Sequence, residues 1–356
     1  MIRLGVSSVG LAAGLDVPWD IAFLSSTRYL LTDRPGRLRI GSTNGGALRT
    51  VRADFSDLRV EGEAGLLGLA LDPRFGTNRL FYTCQSDAPS GDNRVIRWRL
   101  SADHTSAVRV GAPVITGIPG GVNHNGCRVL FGPDGKLWVS TGDAFTGPVP
   151  QDRNSLGGKV LRVNADGTVP QDNPWAGAPG PAKYVWTYGH RNVQGLARRP
   201  GTAQMWTAEH GPDRDDEVNL MVKGGNYGWD PVFPDGTEGY NQAVPMTDLV
   251  KFPAAIQAKW SSGYPTIATS GLTFTTGARW KSYDGALLVA QLKGEGVMVL
   301  TLDAAGAVIS RSEFAALNDR FGRLRTVRQG PDGSLYVLTS NRLAGSNKVL
   351  RVTPAG

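Results

Sequence analysis

Gly132-Pro-Asp-Gly-Lys-Leu-Trp-Val139 and, far downstream, Gly330-Pro-Asp-Gly-Ser-Leu-Tyr-Val337 are nearly the same text. Each joins a turn of Gly, Pro and Asp to a short apolar strand, and each strand runs on to a small or polar residue, as Leu137-Trp-Val-Ser-Thr141 and Leu335-Tyr-Val-Leu-Thr339. Four more stretches read the same way: Tyr29-Leu-Leu-Thr-Asp33, Leu80-Phe-Tyr-Thr-Cys84, Met205-Trp-Thr-Ala-Glu209 and Ala286-Leu-Leu-Val-Ala290. Most copies are followed by a strand of alternating character, such as Arg94-Val-Ile-Arg-Trp98, Lys159-Val-Leu-Arg-Val163 and Lys348-Val-Leu-Arg-Val352. Period-two alternation gives such a strand one inward and one outward face. Repeats of roughly 50 residues with several strands each mark a propeller. Six copies predict an all-β chain, a six-bladed β-propeller with four-stranded antiparallel blades, as one domain over residues 1–356. The competing arrangement is a β-sandwich or a two-domain all-β chain. Helices should be few, with a short one over residues 312–318. Longer spacings after residues 142 and 210 leave room for inserted loops, where sites are built.

Composition agrees with a turn-rich, well-buried chain: 40% hydrophobic residues, 47 Gly and 22 Pro in 356 residues, without a collagen period. The formal net charge is +7. The basic residues are scattered, with no run of five and no aromatic interleaving, so a small anionic ligand fits the excess better than nucleic acid. No stretch reaches the roughly 20 apolar residues that span a bilayer. The N-terminus carries no convincing secretion signal, which leaves a cytoplasmic protein or one whose export signal has been trimmed. Cys84 and Cys127 belong to no CxxC pair and are compatible with one disulfide or with two small buried residues.

No dinucleotide fingerprint, P-loop, HExxH or GxSxG elbow is present. His124 lies in Gly120-Gly-Val-Asn-His-Asn-Gly126, just before a blade strand, and Asp143 follows that strand's hairpin partner. A His beside a carboxylate is the ordinary arrangement of a general base held in one tautomer; taken alone, a loop His is more often structural. Tyr188-Gly-His-Arg-Asn-Val-Gln-Gly195 offers a cation, Arg191, and an amide, Asn192. The carboxylates of Glu209-His-Gly-Pro-Asp-Arg-Asp-Asp-Glu-Val-Asn219, with Gly224-Gly-Asn-Tyr-Gly-Trp229 beyond, suit calcium or simply make an acidic turn. Arg323 and Arg325 alternate onto one side of a strand, as planar donors for a di- or tricarboxylate. Lys293 lies just past another blade strand.

Together these segments resemble the glucose/sorbosone dehydrogenases, soluble quinoprotein enzymes, from Gly14-Leu-Asp-Val-Pro-Trp19 to the last strand. Glu61-Gly-Glu-Ala-Gly-Leu-Leu-Gly-Leu-Ala70, the His124 segment, Gly157-Gly-Lys-Val-Leu-Arg162 and Glu209 through Trp229 carry the likeness in that order. The resemblance implies pyrroloquinoline quinone (PQQ) and Ca2+ as cofactors. It implies His124 as the base on the sugar's anomeric hydroxyl, oriented by Asp143, with hydride passing from C1 to the quinone and Arg191 polarising the quinone carbonyl. Asn192, Thr266, Lys293, Arg323 and Arg325 would contact the quinone, and Glu63 would be a polar residue on the quinone or substrate side. The carbonyls of Gly211 and Pro212 would hold one calcium; Glu217 and the carbonyl of Tyr227 would hold a second, structural one. An aldose substrate, an artificial or membrane-linked electron acceptor, a monomer or homodimer, and work in the periplasm or outside the cell are implied with them. Two departures from the bacterial glucose dehydrogenases, Tyr264 for tryptophan and Glu63 for glutamine, point to the broader aldose branch; Asn123 is a minor change. A calcium-dependent lactonase and a non-enzymatic interaction propeller are the alternatives.

Overall fold

The computed structural model describes residues 6–354. Six small antiparallel sheets stand around a ring. Blade 1 is formed by Pro18–Phe23, Arg28–Asp33, Arg37–Ser42 and Arg49–Val51. Blade 2 is formed by Leu66–Leu71, Leu80–Ser86, Asn93–Leu100 and Ile115–Ile118, with Ala107–Arg109 also pairing on its third strand. Gly126–Phe131, Leu137–Thr141, Lys159–Val163 and Val185–Tyr188 make blade 3. Val193–Arg198, Met205–Glu209, Glu217–Leu220 and Trp260–Ser261 make blade 4. Blade 5 contains Thr269–Phe274, Leu287–Gln291, Val297–Leu302 and Val308–Glu313. Blade 6 contains Leu324–Gln329, Leu335–Thr339 and Asn347–Pro354, and its outer strand, Val6–Leu15, comes from the other end of the chain. Pairing of Val6 with Pro354 and of Leu15 with Asn347 closes the ring. The expected six-bladed propeller of four-stranded blades is the observed fold.

The repeated apolar stretch is the second strand of each blade, and the alternating stretch is the third. Neighbouring blades cover both faces of the second strands, which is why they read as near-continuous apolar runs, while the third strands of blades 1, 2 and 6 leave alternate positions partly exposed. Leu137–Thr141 and Lys159–Val163 are buried at every position. Core clusters fill the gaps between blades; Leu30, Leu38, Ile40, Leu69, Phe81, Ile96 and Trp98 join blades 1 and 2. The short helix expected over 312–318 is not there. Ser312 and Glu313 finish a strand, and a turn follows in which the Leu317 amide bonds the Phe314 carbonyl while both side chains are buried. Burying these two apolar residues against blade 6 took precedence over extending one turn into a helix.

The six innermost strands neighbour one another in order, with Leu324–Gln329 beside Pro18–Phe23. A charged plug closes the channel between them. Arg128 pairs with Asp20 at 3.0 Å, bonds the Gln194 carbonyl and Thr326 Oγ1, and stacks 4.0 Å above the Trp19 ring. Asp20 also takes Arg328 at 2.9 Å and the Leu69 amide at 3.1 Å. Burial opposes the Asp20 charge, but the two guanidinium groups outweigh it and leave the carboxyl below its usual value. Arg128, facing one carboxylate and a second guanidinium, holds its proton less tightly than usual because of burial; an arginine starts so high that it stays charged. The plug leaves a cavity at each end of the channel.

Candidate functional site

Strand register gathers the sequence candidates at one end of the ring. In blade 3, Gly126 pairs with Thr141, so His124, two residues before one strand, meets Asp143, two residues after its partner. In blade 4, Val193 pairs with Glu209, which sets Arg191 and Asn192 beside His210 and Gly211. In blade 5, Thr269 pairs with Gln291, which sets Thr266 beside Lys293, and Lys293 Nζ lies 3.3 Å from Thr266 Oγ1. Arg323 precedes the inner strand of blade 6, and Glu63 precedes that of blade 2.

His124 and Asp143 form a buried pair, with Nδ1 2.7 Å from Oδ1. Asp143 Oδ1 also accepts the Phe145 amide at 2.9 Å, and Oδ2 accepts Trp229 Nε1 at 3.0 Å and the Tyr240 hydroxyl at 2.5 Å. With three other donors on its oxygens the carboxylate acts only as an acceptor. His124 Nδ1 is therefore the donor, and the lone pair lies on Nε2. This tautomer is assigned from the hydrogen-bond pattern. The His124 loop needs a close approach at Gly142: a Cβ there would overlap the His124 carbonyl oxygen, and His124 itself has φ 57°. Gly142→Ala is expected to displace the loop and lower stability by about 2 kcal/mol, the usual cost of a backbone clash, measured by urea unfolding; an unchanged midpoint would contradict this close approach.

Lys159 ties down the segment that follows Asp143. Its buried ammonium donates to the carbonyls of Val149, Pro150 and Gly157 at 2.7, 3.0 and 2.5 Å. Cys84 and Cys127 form a disulfide, with Cα atoms 5.4 Å apart, between blades 2 and 3. This resolves the cysteine question that the sequence left open.

Around the channel mouth lies a cavity of about 640 Å³. Arg34, Lys293, Arg323, Arg325 and Arg342 line it against one carboxylate, Glu63. Arg325 bonds Gln194 Oε1 at 3.1 Å, and burial draws its guanidinium down to about 9, a desolvation cost that a bound anion would offset. Glu63 accepts the His124 amide at 3.0 Å and Asn192 Nδ2 at 3.3 Å. Burial works against the Glu63 charge, yet the positive charge around it, that of Arg325 included, and the Asn192 hydrogen bond hold its carboxyl below the usual value. His210 lines the same wall; burial pushes its imidazole down, and its Nε2 is buried without a hydrogen-bond partner. An unpartnered buried polar atom beside a cationic cavity can take a polar ligand or a water. Arg191 also has a buried, unpartnered Nε; its Nη1 donates to the carbonyls of His210 and Gly211 at 3.1 and 3.0 Å.

Residues 15–350 match the profile of the glucose/sorbosone dehydrogenases. The chain belongs to the glucose/sorbosone dehydrogenase family. It is 33% identical to the aldose sugar dehydrogenase YliI of Escherichia coli, over 96% of this chain and 91% of that protein. It is 30% identical to quinoprotein glucose dehydrogenase B of Acinetobacter calcoaceticus, over 73% and 61% of the two chains. Among solved structures, the PQQ-bound aldose sugar dehydrogenase of Streptomyces coelicolor superposes with TM-score 0.79 at 31% identity, covering 99% of each chain.

Residues of the candidate site missed in the sequence have different explanations. Arg34 follows a second strand directly, as His210 does, so their register positions were a usable signal. Tyr240 and Gln242 sit in the long insert of blade 4, which has no repeat register to betray them. As to metal ligands, no group of three or more His, Cys, Asp or Glu side chains among the described residues is arranged around a metal position. Glu209 and Glu217 are nevertheless a buried carboxylate pair, bridged by Asn219 Nδ2 at 3.0 and 3.1 Å. Burial, and then the Glu209 charge, pushes the Glu217 carboxyl up to about 8. The described residues contain no helix long and apolar enough to cross a membrane.

Proposed function

We propose that this chain, as one catalytic domain, is a PQQ- and calcium-dependent aldose dehydrogenase that oxidises the anomeric C1 hydroxyl of a sugar to the lactone. The observation that carries the reading is a strongly cationic, partly orphaned cavity beside a His–Asp pair poised as a base. A flat tricarboxylate fits that donor set: Lys293 with Thr266, Arg323 and Arg325 would hold its carboxylates, and Arg191 and Asn192 would stand on its carbonyl side. Bound there, the quinone supplies a two-electron, hydride-accepting group.

His124 Nε2 takes the proton of the anomeric hydroxyl as the C1–H bond breaks and the C1 carbonyl forms. Asp143 stabilises the imidazolium so made and keeps the ring in register. Arg191, fixed by two backbone carbonyls, places positive charge where negative charge develops. Glu63, bonded to both the His124 amide and Asn192, ties the base to the cofactor wall. The carbonyls of Gly211 and Pro212 are hard oxygen donors that would suit calcium. Glu217 with the Tyr227 carbonyl suits a second ion, since a divalent cation relieves a buried like-charge pair. The disulfide supports work in an oxidising compartment, hence the periplasm or outside the cell. A lactonase metal would need several carboxylates at the mouth, where this chain presents cations.

Titrating the purified chain with PQQ, with calcium and then with a chelator, tests the cofactor half of this reading. One equivalent should bind, more weakly once calcium is removed. Arg325→Gln should weaken binding about 10- to 100-fold, the worth of a charge-assisted hydrogen bond. Absence of saturable binding at micromolar quinone would contradict it.

A further inference from the structure

The insert of blade 4, residues 221–259, reaches across to blade 3 and lays two side chains on groups that belong to other segments. Tyr240 donates its hydroxyl to Asp143 Oδ2 at 2.5 Å and stands 3.4 Å from His124 Nδ1. Its ring stacks on Phe145 with centroids 4.0 Å apart and meets the His124 ring edge-on at 5.9 Å. Two residues on, Gln242 Oε1 accepts from Arg191 Nη2 at 3.0 Å. One stretch of insert thus grips both halves of the candidate site, the base through Tyr240 and the cation through Gln242.

We propose that Tyr240 is a positioning residue, whose hydroxyl completes the donor set on Asp143 and so holds the proton on His124 Nδ1 and the lone pair on Nε2. The proposal rests on the dehydrogenase reading for its kinetic consequence. The hydrogen-bond count argues for it directly. His124 Nδ1 and the Phe145 amide occupy Oδ1, and Trp229 occupies one position on Oδ2. Without the phenol, one lone pair of a fully buried carboxylate has no partner, and the Asp143 side chain is free to turn about its terminal torsion and loosen the His124 bond. Burial, and then the Asp143 charge, pushes the Tyr240 phenol up, so it remains a hydroxyl donor at any working pH. Phe145, half-exposed beside the same ring, keeps the phenol in line.

Tyr240→Phe keeps the ring and its stacking and removes only the hydroxyl; Tyr240→Leu removes both. The full-length chain without cofactor, labelled with 15N in its histidines, reports the His124 tautomer by long-range 15N–1H correlation, with His124→Ala to assign the signal. The native chain should show protonated Nδ1 and bare Nε2, and both variants should show averaging between tautomers. In the reconstituted enzyme both variants should lose roughly 10- to 100-fold in kcat, the cost typical of removing a partner behind a functional group, with KM nearly unchanged. A native tautomer and native kcat in Tyr240→Phe would overturn the proposal, as would a defect in Tyr240→Leu alone, which would assign the effect to packing. If the native chain oxidises no aldose, the dehydrogenase reading fails, and the tautomer signal still decides whether Tyr240 positions the pair.

Discussion

His124→Ala is expected to lower sugar-dependent dye reduction by the quinone-loaded chain by about a thousandfold or more, within the range for loss of a general base with its orienting partner. Quinone affinity should change little, because the His124 ring is not among the side chains lining the cationic cavity. His124 is 6% exposed, its Nδ1 is committed to Asp143, and no described residue bonds Nε2, which leaves that nitrogen open to take the anomeric proton. Stopped-flow reduction of the bound quinone by an aldose separates this chemical step from dye turnover. A fall in affinity without a fall in the reduction rate would move His124 from the chemistry to the binding wall.

The second large effect is on stability. Arg128→Met should destabilise the propeller by about 3–5 kcal/mol, because it strands a buried carboxylate with only one of its two cations. Asp20 is 0% exposed and Arg128 is 1% exposed, where inner strands of blades 1, 3 and 6 meet through side chains. The same pair sets an acid limit. The carboxyl of Asp20 is lower in the folded chain than its ordinary value of 3.8, so its contribution is complete above that value and is lost as pH falls through the folded one. Urea unfolding near neutral pH and again in acid reads both effects. In Arg128→Met the midpoint should fall at neutral pH, and the difference from the native chain should narrow in acid as Asp20 protonates. An unchanged neutral midpoint would show that the plug is not needed to hold the ring.

Much of the architecture was legible because a propeller blade buries its second strand on both faces, and because most third strands alternate. Leu137–Thr141, Met205–Glu209 and Leu335–Thr339 have the bounds their apolar text suggests. Outer strands carry no such mark: Arg49–Val51 is largely exposed, and Trp260–Ser261 is two residues long after a long insert. Closure by Val6–Leu15 depends on pairing between opposite ends of the chain, which no local pattern announces. Residues 312–318 misled because Phe314 and Leu317 have the spacing of a helical face, although a single buried turn satisfies them.

At the candidate site, the meeting of His124 with Asp143 and the placing of Arg191, Lys293 and Arg325 at one end of the ring were legible because each lies within a few residues of a strand end whose position the repeat fixes. Their convergence is a consequence of register. Tyr240 and Gln242 were hidden because their partners are reached by an excursion of the chain rather than by pairing. The Cys84–Cys127 bond was undecidable for a similar reason, since it joins two blades whose faces meet only once the ring is built.

The most direct measurement is reconstitution: purified chain, calcium and PQQ, added singly and together, with dye reduction followed across a panel of aldoses. The account predicts turnover only when both are present, with the lactone as product and a preference among the sugars. Quinone that binds yet accepts no electrons from any aldose would contradict it.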